Sequence, residues 1–176
     1  MPHVSHFTQF LVERARWAYQ GSPLRNPTRL DCCKIRRARH DDVEGIHAIE
    51  SKNIGLSAGW SKDQIVEELT RERAKVLVSD DGGGLITGWV VAWTIPPDEL
   101  HIMEVGVLPE YKRSGIGTAL LKTILNTPEL SHAFLEVRMD NKHAIKFYEK
   151  LGFEGMGVRK GLYSDGQDAL VMRYTL

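Results

Sequence analysis

The chain has 176 residues, enough for one domain with a substantial core, and its 23 Lys plus Arg balance 23 Asp plus Glu, so no global field favours nucleic acid. Its two cysteines, Cys32 and Cys33, are adjacent and have no partner elsewhere, which argues against a disulfide-stapled secreted framework. No apolar run approaches the roughly 20 residues that span a bilayer, and the N-terminus lacks a signal-peptide core, so the expectation is a soluble protein of the reducing cytoplasm, with no membrane partner.

Residues 1–33 read as an extension. Phe7, Phe10, Leu11, Arg14, Trp17 and Ala18 fall on helical spacing, which predicts a short amphipathic helix near 6–20. Gly21-Ser-Pro-Leu-Arg-Asn-Pro27 reads as a linker. A regular domain is expected over 34–176. It opens with a short strand at 34–39, followed by Asp41 and Asp42 as caps of a helix that turns Val43, Ile46 and Ile49 inward. Ser61-Lys-Asp-Gln64 is a capping box before a second helix with Ile65 and Leu69 on its buried stripe. Strands at 76–79 and 85–95 flank Asp80-Asp-Gly-Gly-Gly84, so they predict a hairpin. A strand at 100–107, a helix at 115–126, a strand at 132–138, a helix at 141–151 and strands at 153–158 and 168–174 complete the order βααβββαβαββ. That order implies a mixed sheet with helices on both faces.

Two segments carry chemistry. Lys112-Arg-Ser-Gly115-Ile-Gly117 joins a strand to a helix. Its glycines permit close backbone approach, and the first helical turn leaves N–H donors and partial positive charge for phosphate oxygens. It is neither a dinucleotide fingerprint nor a Walker loop, since Leu120 stands at the third glycine position and no Gly-Lys-Ser/Thr follows. Taken alone, it is either a phosphate loop or a glycine-bearing turn. In the second segment, Leu135 and Val137 share one strand face, and Glu136 and Arg138 the other. Ala144 and Tyr148 share a helix face after Asn141. Spacing alone favours the ordinary readings: Glu136 on a solvated strand face and Tyr148 as a half-buried core aromatic.

The loop resembles the central motif of the GNAT superfamily of acetyl-CoA-dependent N-acetyltransferases, Arg/Gln-x-x-Gly-x-Gly/Ala, with Lys112 as a departure at the first position. The second segment, Leu135-Glu-Val-Arg138 through Asn141, Ala144, Ile145, Tyr148 and Leu151-Gly-Phe153, resembles the RimI branch, which acetylates the N-terminus of ribosomal protein S18. The likeness extends over about 34–174. It includes Ile35-Arg-Arg-Ala-Arg39, Trp60-Ser61, Pro109-Glu-Tyr111, Gly157-Val-Arg159 and Asp168-Ala-Leu-Val-Met172.

This resemblance implies an α/β (α+β) fold: a mostly antiparallel sheet of six to seven strands whose central parallel pair splays into a V-shaped slot at a bulge. It implies that the amides of Arg113, Ser114, Gly115, Ile116, Gly117 and Thr118 cradle the pyrophosphate of acetyl-CoA. Val105, Gly106 and Val107 hydrogen-bond the pantetheine arm, and Asn141 contacts the cofactor. Glu136 becomes the general base and Tyr148 the general acid, with no metal. Leu56, Trp60 and Tyr163 line the acceptor slot.

The residue types suit that reaction. A protein α-amine, with a pKa near 7.7–8.0, is partly an unreactive ammonium at neutral pH, and a carboxylate can take its proton. A neutral phenol can protonate the leaving thiolate, and an N–H near Val107 can polarise the thioester carbonyl. The implied partner is a protein N-terminus, ribosomal protein S18 in that branch, and the chain itself is expected to be a monomer or weak dimer. Glu104 stands where the branch often has Asn, which makes it an alternative carboxylate. Leu162 stands where the branch has a tyrosine beside Tyr163. Acetylation of lysine or a small amine, and an acyl-CoA-binding module without turnover, are the competing readings.

Overall fold

The computed structural model describes residues 33–53 and 59–176; the helix expected near 6–20, its linker, Cys32 and Leu56 lie outside the described residues. The elements are β1 (Lys34–Arg37), α1 (Val43–Asn53), α2 (Lys62–Thr70), β2 (Ala74–Asp80), β3 (Ile86–Ile95), β4 (Glu99–Val107), α3 (Ile116–Leu125), β5 (His132–Arg138), α4 (Lys142–Lys150), β6 (Glu154–Arg159) and β7 (Ala169–Thr175). Their order is the expected one.

One seven-stranded sheet runs β1-β2-β3-β4-β5-β7-β6, antiparallel throughout except for β4 against β5. Alternation along β2 and β3 divides the core. Val76, Val78, Trp89 and Val91 face one side, where they meet Ile46 and Ile49 of α1 and Ile65 of α2. Val90 and Ala92 face the other, where α3 lays Ile116, Leu120, Leu121 and Ile124 across the sheet and α4 adds Ile145, Phe147 and Tyr148. Gly88 lets α3 approach this closely: a Cβ there would stand 2.8 Å from Ile116 Cγ2.

Ser61 caps α2 as expected, accepting from the Gln64 amide at 3.3 Å while the Gln64 side chain accepts from the Ser61 amide at 2.9 Å. Asp42 does something other than cap α1. It lies in a 3-10 turn at His40–Asp42, accepts from the Arg39 amide at 2.7 Å, and receives both guanidinium nitrogens of Arg36 at 2.7 and 2.8 Å. Arg36 also reaches Asp80 at 3.0 Å, so one cation ties β1, the start of α1 and the end of β2. Among the described residues no helix is long and apolar enough to cross a membrane.

Two irregularities shape the centre. The register between β3 and β4 shifts: Val91 pairs with Glu104 but Ala92 pairs with Ile102, so Met103 is an extra, bulged residue. Before the bulge Leu100 and Ile102 face α3; after it Val105 and Val107 do. Glu104 and Gly106 are thereby turned towards α1. The parallel pairing of β4 with β5 also stops early, after Ile102 against Leu135. Beyond that point the two strands separate, which is the splay expected from the resemblance.

Candidate active site

A cleft of about 910 Å³ opens where β4 and β5 part. Both halves of the expected site border it: Glu104 to Val107 and Lys112 from the β4 side, and Leu135 to Arg138, Asn141, Ala144 and Tyr148 from the β5 side. Leu162 and Tyr163, from the connection between β6 and β7, close a third wall, and Glu50 and Gly59 contribute from α1 and the segment after it.

At the β4 end the chain passes a 3-10 turn at Pro109–Tyr111 and enters α3. Arg113 has φ 66° and Gly115 has φ 90°, so the backbone curls through left-handed conformations just before the helix. The Ser114 hydroxyl donates to the Tyr111 carbonyl at 2.6 Å, bracing the curl. The amides that open α3, from Ile116 to Thr118, lie in the turn that has no intrahelical acceptors. Gly117 faces Phe147 of α4, where a Cβ would sit 3.3 Å from the ring. Lys112 and Arg113 are exposed, with long cationic side chains at the mouth. Asn53, on the last turn of α1, donates to the Val107 carbonyl at 3.0 Å and steadies the strand end.

At the β5 end Asn141 caps α4, its side-chain oxygen accepting from the Ala144 amide at 3.1 Å. That commits the oxygen and leaves the amide nitrogen for a ligand. Tyr148 packs edge-on against Phe153, with centroids 5.8 Å apart. Burial, with the negative charge of Glu104 and the Tyr163 ring nearby, pushes its phenol well above the usual range. The hydroxyl is therefore neutral and able to donate.

The carboxylates differ sharply. Glu136 is exposed at the rim and ion-paired with Arg159 of β6. Glu104 sits on the cleft wall, and burial together with the Glu50 carboxylate pushes it up to about 8, against a weaker opposing pull from the Val105 amide. Glu50 is 7% exposed and fully engaged: the Trp89 indole donates to one oxygen at 2.9 Å and the Trp60 amide to the other at 3.2 Å. Trp60 packs edge-on against Trp89 at 5.9 Å, so the segment after α1 is anchored under β4.

Arg138 is buried rather than solvated, although it shares a strand face with Glu136. It reaches Asp140 at 3.1 Å and Asp165 at 2.8 Å and lies over the Tyr163 ring, 4.9 Å from its centroid. Burial raises the Tyr163 phenol even with this cation above it. Sequence reading passed over Arg138 and Glu50. The acidic pair Asp140 and Asp165 was the available signal for the first. For the second it was a glutamate inside the apolar stripe of α1.

Among the described residues no cluster of three or more His, Cys, Asp or Glu could hold a metal ion. The cleft is thus lined by backbone donors, the Tyr148 and Tyr163 phenols and the carboxylates of Glu50, Glu99, Glu104 and Glu136, a set suited to holding a phosphorylated, extended carrier and moving protons at its tip.

Comparison with known proteins agrees with that chemistry. Residues 43–153 match the acetyltransferase (GNAT) family. An N-alpha-acetyltransferase of Sulfurisphaera tokodaii is 33% identical over 161 residues, covering 79% of this chain and 90% of that one. The N-alpha-acetyltransferase RimI of Mycobacterium tuberculosis is 36% identical over 95 residues, 52% of this chain and 60% of its own. Among solved structures, the ribosomal-protein-S18-alanine N-acetyltransferase of Escherichia coli superposes with a TM-score of 0.72 at 26% identity, covering 81% of this chain and 93% of that chain.

Proposed function

Because this chain belongs to the GNAT acetyltransferase family, and is RimI-like within it, we propose that it is an N-alpha-acetyltransferase that moves the acetyl group of acetyl-CoA to the N-terminal amine of a protein, ribosomal protein S18 in the first instance. The observation that carries the reading is a cleft at the β4–β5 splay, bordered by Lys112 at the head of the glycine loop and by the Glu136–Tyr148 segment. The unit proposed to carry the activity is 34–176, with 1–33 as an extension.

The residues present suit acetyl-CoA. Positive φ at Arg113 and Gly115 curls the backbone ahead of α3, so that amides from Arg113 to Thr118 can converge on a pyrophosphate, with Lys112 and Arg113 adding attraction. Past Ile102 the inner edge of β4 has no β5 partner, which leaves Val105, Gly106 and Val107 for an extended amide-bearing arm. Asn141 offers its amide nitrogen beside it. Bound there, acetyl-CoA supplies an activated acyl group on a thiol leaving group.

The chain's own residues supply orientation and proton transfer. Trp60 and Tyr163 border the acceptor, and Leu56 belongs to the same proposed wall. Glu136, exposed at the rim beside Arg159, draws in the terminal ammonium and takes a proton from it. Tyr148 gives its proton to the departing thiolate. An N–H near Val107 polarises the acyl carbonyl.

The test is thiol release from acetyl-CoA with a short peptide copying the S18 N-terminus, beside the same peptide with a blocked amine. Release only with the free amine is expected. Activity on the blocked peptide through a lysine overturns the N-terminal assignment, and no release with any amine favours a binding module. Glu136→Gln is expected to lower kcat roughly tenfold or more while acetyl-CoA still binds. Full activity in that variant removes Glu136 from the role.

A further inference from the structure

Acetylation of an ammonium requires more proton traffic than one base provides. In the balanced reaction R–NH3+ and the thioester give R–NH–CO–CH3, the free thiol and one H+. The nitrogen sheds two protons as its C–N bond forms and the C–S bond breaks. Sulfur gains one proton and solvent receives the other. Glu136 suits the first proton, which leaves before attack, because it stands at the exposed rim in contact with water and is held by Arg159. The second proton is shed inside the slot, where the nitrogen has already bonded to carbon.

A second carboxylate stands there. The Met103 bulge turns Glu104 out of line with Leu100 and Ile102 and onto the cleft wall at the level where β4 has lost its β5 partner. Glu50 lies close by on α1. Its two oxygens are fixed by Trp89 and Trp60, so it cannot swing away from Glu104 without releasing both. Gly59 leaves room for that arrangement: a Cβ there would stand 3.3 Å from Glu50 Oε2.

Resting on the N-acetyl transfer reading, we propose that Glu104 is a second proton acceptor, taking the proton the nitrogen sheds as the C–N bond forms, with Glu50 as its positioning residue. Tyr148 protonates the thiolate, and Glu104 returns its proton to the phenolate, so each group ends the cycle as it began. The first proton leaves through Glu136 to water.

The electrostatics agree with the geometry. Burial and Glu50 push Glu104 up to about 8, close to the ordinary thiol value of about 8.5, which matches acceptor to leaving group. The groups facing Glu104 are Glu50 from α1, Tyr148 from α4 and Tyr163 from the β6–β7 connection, where Arg138 and Glu136 act in turn on Tyr163. On its own strand the Val105 amide donates to Glu104 at 3.2 Å.

The experiment measures kcat against pH at saturating peptide and acetyl-CoA for the wild type, Glu104→Gln and Glu50→Gln, together with carboxyl titration by 13C NMR of glutamate-labelled protein without substrates. In the wild type kcat should rise with pH towards about 8. Glu104→Gln should lower kcat roughly tenfold or more and remove that limb, with acetyl-CoA binding retained. Glu50→Gln removes a like charge, so both the limb and the Glu104 resonance should move to lower pH. A limb belonging to the peptide amine would not move in that variant. If Glu104→Gln does not fold, Glu104→Asp supplies the resonance assignment. Full kcat in Glu104→Gln, a limb unmoved in Glu50→Gln, or a Glu104 carboxyl titrating in the ordinary range overturns this proposal alone. A wild type inactive towards every amine overturns it together with the functional reading.

Discussion

Tyr148 sits on α4 with its ring tilted against Phe147 and edge-on to Phe153, at 5.3 and 5.8 Å between centroids. Its ring is therefore held by packing, and its hydroxyl is the separable part. Tyr148→Phe should keep the packing and lose only the donor. Stability is expected to change by less than about 1.5 kcal/mol, while kcat falls by roughly 10² or more, measured by urea unfolding and thiol release. Unchanged turnover would remove the phenol from the proposed chemistry. Short-range spacing was enough to bring Asn141, Ala144 and Tyr148 onto one helix face, and the structure keeps them there. It was not enough for Glu136, whose partner Arg159 is 23 residues away on another strand. Arg138 was passed over for a related reason. Nothing local marks it for burial, and the return of Asp165 on the β6–β7 connection supplies the partner that allows it.

At the level of elements, α1 and β4 meet through Gly106. A Cβ at Gly106 would lie 2.7 Å from Trp89 Nε1 and 2.9 Å from Ile49 Cγ2. Trp89 and Ile49 are fully buried, so neither can yield cheaply. Gly106→Ala is expected to destabilise the fold by about 1–3 kcal/mol in urea unfolding. It should also loosen the indole that holds Glu50. A midpoint equal to that of the wild type would show that the helix can shift to accommodate the methyl. Helix and strand identities were legible because local periodicity and caps determine them: Ser61 and Gln64 close the capping box their spacing announces. The Met103 bulge was not legible by position, since an extra residue in β4 leaves no mark on the alternation until its pairing with β3 is known. Asp42 looked like a helix cap and proved to be the anchor for the half-buried Arg36, because charge-assisted bonds to both its oxygens are stronger than a cap to a backbone amide.

Across the whole molecule, the sheet order followed from the element order only in part. The β2–β3 hairpin was readable from its glycine turn. The placement of β7 between β5 and β6 is a long-range choice, set by Leu170, Met172 and Tyr174 filling the α3–α4 side. The half built from β1 to β4 and the half built from β5 to β7 are joined across the sheet by only four paired positions, Glu99 to Ile102 against His132 to Leu135. Each half has its own continuous ladder of hydrogen bonds, and the seam between them is short. Amide exchange in the free protein should therefore show two protection levels, one for each half. An extended acyl carrier lying along β4 past Ile102 would act as a substitute strand across the seam. With acetyl-CoA bound, the amides of residues 103–107 should slow most, and the two protection levels should converge. If ligand protects only the α3 loop and leaves the halves distinct, the carrier does not bridge them. Read this way, the gap in the sheet is a reversible suture whose thread is the substrate.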